Sequence, residues 1–216
     1  MKECHLKVEK TARYYLLGEP GEHIREVWFV CHGYGQLAAH FIEHFDVLKS
    51  RSRLFVAPEG LSKFYLNGFS GRIGATWMTK EDRLHEIEDY VSYLDAVYAD
   101  IKKSLHAAPA KIVLLGFSQG TAAVCRWIGK GGIRADHLVI WAGGIPPEFY
   151  SDAAMQPFRD LTLSFVIGSE DEIANSEAVA EQKAVLEKFN VPFNVFTFAG
   201  GHQMNPDMLC KIAKLT

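Results

Sequence analysis

The sequence predicts an α/β fold with a mostly parallel central sheet and helices on both faces. Short apolar segments alternate with amphipathic ones along the chain, which is the pattern of repeated strand–helix units. The chain has 216 residues, 48% of them hydrophobic, so it can bury one full core but is too short for two ordinary domains. Residues 1–216 are therefore interpreted as one domain.

The strands come in a regular order. An N-terminal hairpin-like stretch is expected at roughly residues 6–17, and later strands are expected near 27–31, 53–57, 111–115, 137–142, 163–167 and 193–198. Only residues 144–162 lie between the strands expected at 137–142 and 163–167, a position where many α/β enzymes insert a cap domain. We therefore expect an open site without a cap domain.

Helices are expected between the strands. The longest should begin near Thr79, because Thr79 and Asp82 have capping spacing and apolar residues recur every three or four positions from Leu84 to Leu105. Others are expected over about 37–48, directly after Ser118, near 176–190 and near 206–214.

The segment Gly116-Phe-Ser118-Gln-Gly120 lies between a buried strand and a helix. A serine on such a sharp turn crowds its neighbours, so the positions two before and two after it must be nearly free of side chain. The turn would expose the hydroxyl of Ser118 at a helix N-terminus, where backbone N–H groups are unsatisfied. The pattern is typical of a nucleophile elbow.

A serine nucleophile needs a base and a group that orients the base. Asp171 follows the strand at 163–167 in the acidic loop Gly168-Ser-Glu-Asp171, and His202 follows the strand at 193–198 after a glycine pair. The order serine, acid, histidine is that of α/β-hydrolases and differs from the orders of chymotrypsin and subtilisin. Ser118, Asp171 and His202 are therefore the predicted triad, with Glu170 or Glu172 as less favoured acids.

An upstream loop completes the predicted site. The strand at 27–31 runs into His32-Gly-Tyr34-Gly35, whose glycines allow a backbone N–H to face the serine. We expect the N–H groups of Tyr34 and Gln119 to form an oxyanion hole, and a structural role for His32.

These motifs resemble those of the phospholipase/carboxylesterase family of α/β-hydrolases, which includes the acyl-protein thioesterases. The resemblance spans nearly the whole chain, and Trp77 stands where such proteins carry a tryptophan before the long central helix. It implies the α/β-hydrolase fold and hydrolysis of a carboxylic ester or thioester through an acyl-enzyme on Ser118. The chain departs from the family pattern at Tyr34, where leucine is more usual, and at Gln36, where aspartate is common.

The segment from Gly60 to Trp77 is rich in aromatic residues interleaved with glycines. Long loops of this kind bind ligands or pack locally. Phe69 and Trp77 are the predicted substrate contacts, with packing under the loop as the alternative.

Two motifs offer other functions. Gly33, Gly35 and Ala38 satisfy a dinucleotide fingerprint, with Glu59 after the next strand as the ribose ligand. His40, Glu43 and His44 match an H-x-x-E-H zinc pattern. Neither alternative explains the serine elbow, the acid loop or the Gly201-His202 pair.

Charge, apolar runs and cysteine spacing limit the kinds of partner and compartment that we expect for this chain. The formal net charge is −3 without a long run of one sign, which argues against a nucleic-acid or polybasic membrane surface. No apolar run is long enough for a membrane span or a signal core, and the four cysteines show no CxxC spacing. We expect a cytoplasmic enzyme without cofactor or metal, acting on a small or lipid-like ester or thioester; the oligomeric state is left open.

Overall fold

The computed structural model describes residues 1–105, 108–109 and 111–215. Its strands are β1 (Tyr14–Leu17), β2 (Glu26–Cys31), β3 (Arg53–Pro58), β4 (Ser62–Tyr65), β5 (Ile73–Thr76), β6 (Lys111–Phe117), β7 (His137–Trp141), β8 (Thr162–Gly168) and β9 (Asn194–Phe198). Its α-helices are α1 (Ala38–Phe41), α2 (Arg83–Leu105), α3 (Gln119–Lys130), α4 (Asp152–Arg159), α5 (Ser176–Lys188) and α6 (Pro206–Ile212). Two 3₁₀ helices span Ile42–Leu48 and Pro147–Phe149.

Seven strands form one sheet in the order β1-β3-β2-β6-β7-β8-β9. Strands β2, β3 and β6 to β9 pair in parallel, and β1 alone joins antiparallel, on β3. The predicted mostly parallel sheet is confirmed. Because parallel strands share one carboxyl edge, the loops after β2, β6, β8 and β9 meet at that edge, where α/β folds place their ligand sites.

The sheet is covered on both faces, as predicted. One buried cluster joins the sheet to α2, α3 and α4, through residues such as Leu94 and Trp127. The other joins the opposite face to α1, the first 3₁₀ helix and α6, through residues such as Phe45 and Leu209. Only the second 3₁₀ helix and α4 lie between β7 and β8, so the described chain has no cap domain there.

Three details differ from the sequence-based expectations. The N-terminal stretch is not a hairpin: only Tyr14–Leu17 is a strand, paired with β3, while Leu6 and Val8 are exposed. Helix α2 begins at Arg83 rather than at Thr79, because Asp82 has φ of 47° and a left-handed backbone does not continue a right-handed helix. The helix expected over 37–48 is one α-turn followed by a 3₁₀ stretch.

The aromatic segment after β3 contains an antiparallel strand pair, β4 with β5, that was not predicted from the sequence. All four cysteines are free. Among the described residues, no helix has both the length and the apolar character needed to cross a membrane.

Candidate active site

Ser118 sits on the turn between β6 and α3 with φ of 52° and ψ of −117°. A non-glycine residue with positive φ carries strain of about 1–3 kcal/mol, which persists only where surrounding contacts hold it. Here the Ser118 N–H donates to Trp141 O at 2.9 Å, and the Thr121 hydroxyl donates to Ser118 O at 2.7 Å. These contacts fix the strained turn at the carboxyl edge of the sheet.

The flanking glycines are required by close backbone approach. A Cβ on Gly116 would overlap the backbone of Gly120, and a Cβ on Gly120 would overlap the carbonyl group of Cys31. Helix α3 therefore lies directly against β2, as the spacing of the two glycines predicts.

The predicted acid and base are in contact. His202 Nδ1 lies 2.9 Å from Asp171 Oδ2 and 3.1 Å from Oδ1. Asp171 is buried, and its Oδ1 also accepts hydrogen bonds from the N–H groups of Ile173 at 2.9 Å and Ala174 at 2.8 Å. These contacts satisfy the buried carboxylate and aim its second oxygen at the imidazole.

The loops that carry the acid and the base are tied together by their backbones. Ser169 N–H donates to Phe198 O at 2.8 Å, and Glu170 N–H donates to Gly200 O at 2.9 Å. A Cβ on Gly168 would overlap the carbonyl oxygens of Gly200 and Gly201, so only glycine lets the loops approach this closely. The position of the acid relative to the base is set by the sheet edge.

The imidazole of His202 also lies beside the elbow. Its ring centroid is 5.0 Å from that of Phe117, the residue before Ser118. Because Nδ1 faces Asp171, Nε2 is the nitrogen available to the serine. No hydrogen bond joins Ser118 to His202 within the described residues, and such bonds often tighten only when substrate binds.

In the loop after β2, the backbone N–H groups on either side of Tyr34 are hydrogen-bonded. The Gly33 N–H donates to the side-chain oxygen of Gln36 at 2.7 Å. The Gly35 N–H donates to Ala75 O at 2.9 Å, and the Gln36 N–H donates to Gly33 O at 3.3 Å. The N–H of Tyr34, between them, has no acceptor among the described residues. This is the donor expected to face an oxyanion.

Gln119 offers a backbone N–H donor, and its side chain hydrogen-bonds to the backbone of Trp77 and Met78. As the first residue of α3, its N–H has no acceptor within the helix. Its side chain accepts a hydrogen bond from Trp77 N at 3.2 Å and donates to Met78 O at 2.8 Å. This contact between Gln119 and the Trp77–Met78 backbone was not predicted from the sequence, where a long polar side chain directly after the elbow serine is its only signal.

Trp77 is a packing residue, and its predicted contact with substrate is wrong. The side chain is 2% exposed, stacks on His32 with centroids 5.1 Å apart, and meets Tyr90 edge-on at 5.9 Å. Its indole N–H donates to His32 O at 2.8 Å. A ring enclosed in this way forms the support beneath the loop rather than its binding face.

His32 is buried beside Trp77. Its Nε2 accepts from Gly60 N–H at 3.0 Å, and its Nδ1 lies 2.8 Å from Gly33 O. Burial lowers the pKa of this imidazole, which favours its neutral form. These contacts fit the structural role expected of it.

Phe69 has the opposite environment. Its side chain is 98% exposed on the segment between β4 and β5. A contact between Phe69 and substrate stays a prediction.

Glu59, the expected ribose ligand of the dinucleotide alternative, does not face an open site. Glu59 is buried, and its carboxylate accepts hydrogen bonds from Arg13 Nε at 2.6 Å and from the Ala38 N–H at 3.3 Å. It therefore holds the start of α1 instead of facing a ribose. The helix after Gly33 and Gly35 is only four residues long.

The zinc alternative also fails on geometry. His40 lies in α1, whereas Glu43 and His44 lie in the following 3₁₀ helix, so the two histidines are not one α-helical turn apart. Among the described residues, the group whose donor atoms gather closely enough for a metal ion is a different one, His5, Asp82 and His85.

A cleft of about 520 Å³ opens beside Ser118. Its walls come from α3, from α5 and from the loops after β7 and β8, and they are mostly apolar, including Ala122, Ala142, Ile145, Ile173 and Val179. The nucleophile candidate therefore stands at the edge of a surface that suits an apolar group.

The strand order, the strained serine turn and the acid–histidine pair together define an α/β-hydrolase. More narrowly, the chain belongs to the phospholipase/carboxylesterase family, whose sequence profile matches residues 17–216. No curated protein matches the sequence.

Solved structures of similar fold include esterases and a thioesterase. Esterase PE8 superposes with a TM-score of 0.70 at 18% identity, covering 95% of this chain and 98% of that one. Acyl-protein thioesterase 2 from Zea mays gives 0.66 at 19% identity, with 95% and 97% covered. A phospholipase/carboxylesterase from Dyadobacter fermentans gives 0.68 at 18% identity, with 97% and 99% covered. At these identities the likeness shows the fold.

Proposed function

We propose that this protein is a serine hydrolase that cleaves carboxylic ester or thioester bonds through an acyl-enzyme on Ser118. The observation that carries the proposal is the Asp171–His202 pair, with Nδ1 and Oδ2 2.9 Å apart, beside a serine held at φ of 52°. A positioned acid, a base and a strained nucleophile at one sheet edge are the parts that acyl transfer needs.

In the first half-reaction, neutral His202 accepts the Ser118 proton at Nε2 while Ser118 Oγ attacks the carbonyl carbon. The carbonyl oxygen becomes an oxyanion and receives hydrogen bonds from the Tyr34 and Gln119 N–H groups. Asp171 holds the neutral imidazole in the tautomer with its proton on Nδ1 and stabilises the imidazolium that forms. When the tetrahedral intermediate collapses, His202 donates the proton to the departing alcohol or thiol.

In the second half-reaction, water replaces the leaving group. His202 removes a proton from water as its oxygen attacks the acyl carbon, and returns that proton to Ser118 Oγ as the ester bond breaks. The products are a carboxylic acid and free enzyme. Every step uses this chain's own residues.

The cleft beside Ser118 supports an apolar or lipid-like substrate. A volume of about 520 Å³ lies within the usual range of small-molecule sites, and apolar walls favour a hydrocarbon group. The esterases and the thioesterase among the neighbours are consistent with either an oxygen ester or a thioester.

A fluorophosphonate tests the nucleophile directly, because an activated serine captures this reagent quickly and once. We expect one adduct by intact mass on the native chain and none on Ser118→Ala. Ser164→Ala is the matched control: Ser164 also contacts a histidine, with its Oγ 2.9 Å from His137 Nε2, but it is fully buried. An adduct that persists in Ser118→Ala, or no adduct on folded native protein, would refute the proposal.

A further inference from the structure

Two imidazoles and a carboxylate converge away from the candidate active site. His5 comes from the N-terminal segment, whereas Asp82 and His85 lie at the start of α2. One donor atom from each of the three lies within 4.8 Å of the others. Segments distant in sequence thus present metal-binding atoms to a common centre.

The distances suit a small divalent ion. Asp82 Oδ1 lies 3.4 Å from His5 Nε2 and 2.6 Å from His85 Nδ1. In a tetrahedral zinc site with bonds of about 2.0–2.1 Å, neighbouring donor atoms are about 3.3 Å apart. The distance from Asp82 to His5 already matches this value, and the distance from Asp82 to His85 would have to increase by less than about 1 Å.

Ordinary ion pairing explains the arrangement poorly. The His5 and His85 ring centroids are 4.1 Å apart, so two protonated imidazoles would repel each other across the shared carboxylate. The three side chains are 43–46% exposed, and ion pairs as open as these contribute little stability. A divalent cation would satisfy all three donors together.

From these contacts we infer that His5, Asp82 and His85 form a binding site for a divalent transition metal of the zinc type. Imidazole nitrogen and carboxylate oxygen are donors that zinc accepts in proteins. The site would be structural, because it contains none of the proposed catalytic residues. Its effect would be to tie the exposed residues 1–11 to the first turn of α2.

The inference is tested by titrating Zn²⁺ into the full chain, prepared without a histidine tag and stripped of metal with EDTA. Calorimetry should show one ion per chain. The His5→Gln and His85→Gln variants should each bind at least roughly tenfold more weakly, since even the residues behind metal ligands are worth that much. The double variant His40→Gln with His44→Gln removes two exposed histidines outside the cluster and should bind like the native chain.

Hydrogen exchange supplies a second readout that is independent of hydrolysis. Zinc should slow amide exchange in residues 1–11 of the native chain but not in His85→Gln. Three results would overturn the inference: no saturable zinc binding by the native chain, unchanged affinity in both single variants, or loss of binding in the His40/His44 double variant alone.

Discussion

Replacing Asp171 by asparagine should disable the base while leaving the fold intact. Asp171 Oδ1 accepts from two backbone N–H groups, those of Ile173 at 2.9 Å and Ala174 at 2.8 Å, and Oδ2 faces His202 Nδ1 at 2.9 Å. An asparagine must keep its oxygen on the two backbone donors, since an amide NH₂ cannot accept from them. Its NH₂ group is thereby directed at His202.

The consequence is the wrong imidazole tautomer. Nδ1 must then accept a hydrogen bond, so the proton resides on Nε2, which cannot take the proton of Ser118. The corresponding change in the serine-protease triad lowers kcat about 10⁴-fold. We expect a loss of that size here, which corresponds to about 5 kcal/mol of transition-state stabilisation.

The assay is steady-state hydrolysis of a p-nitrophenyl ester, with kcat and KM determined separately. Glu170→Gln and Glu172→Gln are matched controls, because each removes one exposed carboxylate from the same loop. Both should stay within a few-fold of native activity. A loss of less than about tenfold in Asp171→Asn with an unchanged melting temperature would contradict the role of Asp171, as would a larger loss in Glu170→Gln or Glu172→Gln.

Three further predictions concern packing, pH and substrate contact. Gly120→Ala should lower the free energy of unfolding by about 1–3 kcal/mol, because the added Cβ would overlap a backbone carbonyl of β2. A calorimetric melting temperature equal to the native value would contradict this. Burial lowers the pKa of His137 from 6.5 to about 4, so the unfolded chain takes up this proton first as pH falls. The free energy of unfolding that neutral His137 contributes is therefore present above about pH 6.5, and it falls by about 3 kcal/mol as the pH is lowered towards 4. Urea unfolding of His137→Gln should show a smaller fall over this range, and a fall equal to that of the native chain would contradict the prediction. Phe69→Ala should raise KM for long-chain esters without changing the melting temperature, whereas Trp77→Ala should lose about 3–5 kcal/mol of stability; the reverse pattern in paired kinetic and melting measurements would exchange their roles.

The serine turn could be predicted because its constraints are local. A strained residue between a strand and a helix needs small residues on either side, and Gly116 and Gly120 record that need in the sequence. Asp171 and His202 could be placed because parallel strands deliver their following loops to the same edge. The contact between them follows from strand order.

The side-chain contacts that form over long distances could not be predicted in this way. Whether Trp77 faces a ligand or the core depends on His32 and Tyr90, which approach it only in the folded chain. The same holds for the hydrogen bond from Gln119 to Met78. Aromatic content identifies an unusual loop but not the direction of each ring.

The pairing of the loop after β2 with β5 constrains how substrate preference can change. Gly35 N–H donates to Ala75 O at 2.9 Å, and Ala75 N–H donates to Gln36 O at 3.1 Å, so the backbone beside Tyr34 is fastened to the strand that ends the aromatic segment. Insertions or substitutions at the tip, around Phe69, would leave these hydrogen bonds in place, and we expect them to change substrate preference only. Changes within residues 73–77 would shift the Tyr34 N–H, and if this group is the oxyanion donor proposed above, they should slow turnover of every substrate alike. The hydrogen bonds at the base of the segment, and their absence from the described residues at its tip, thus predict that the two parts tolerate substitution differently.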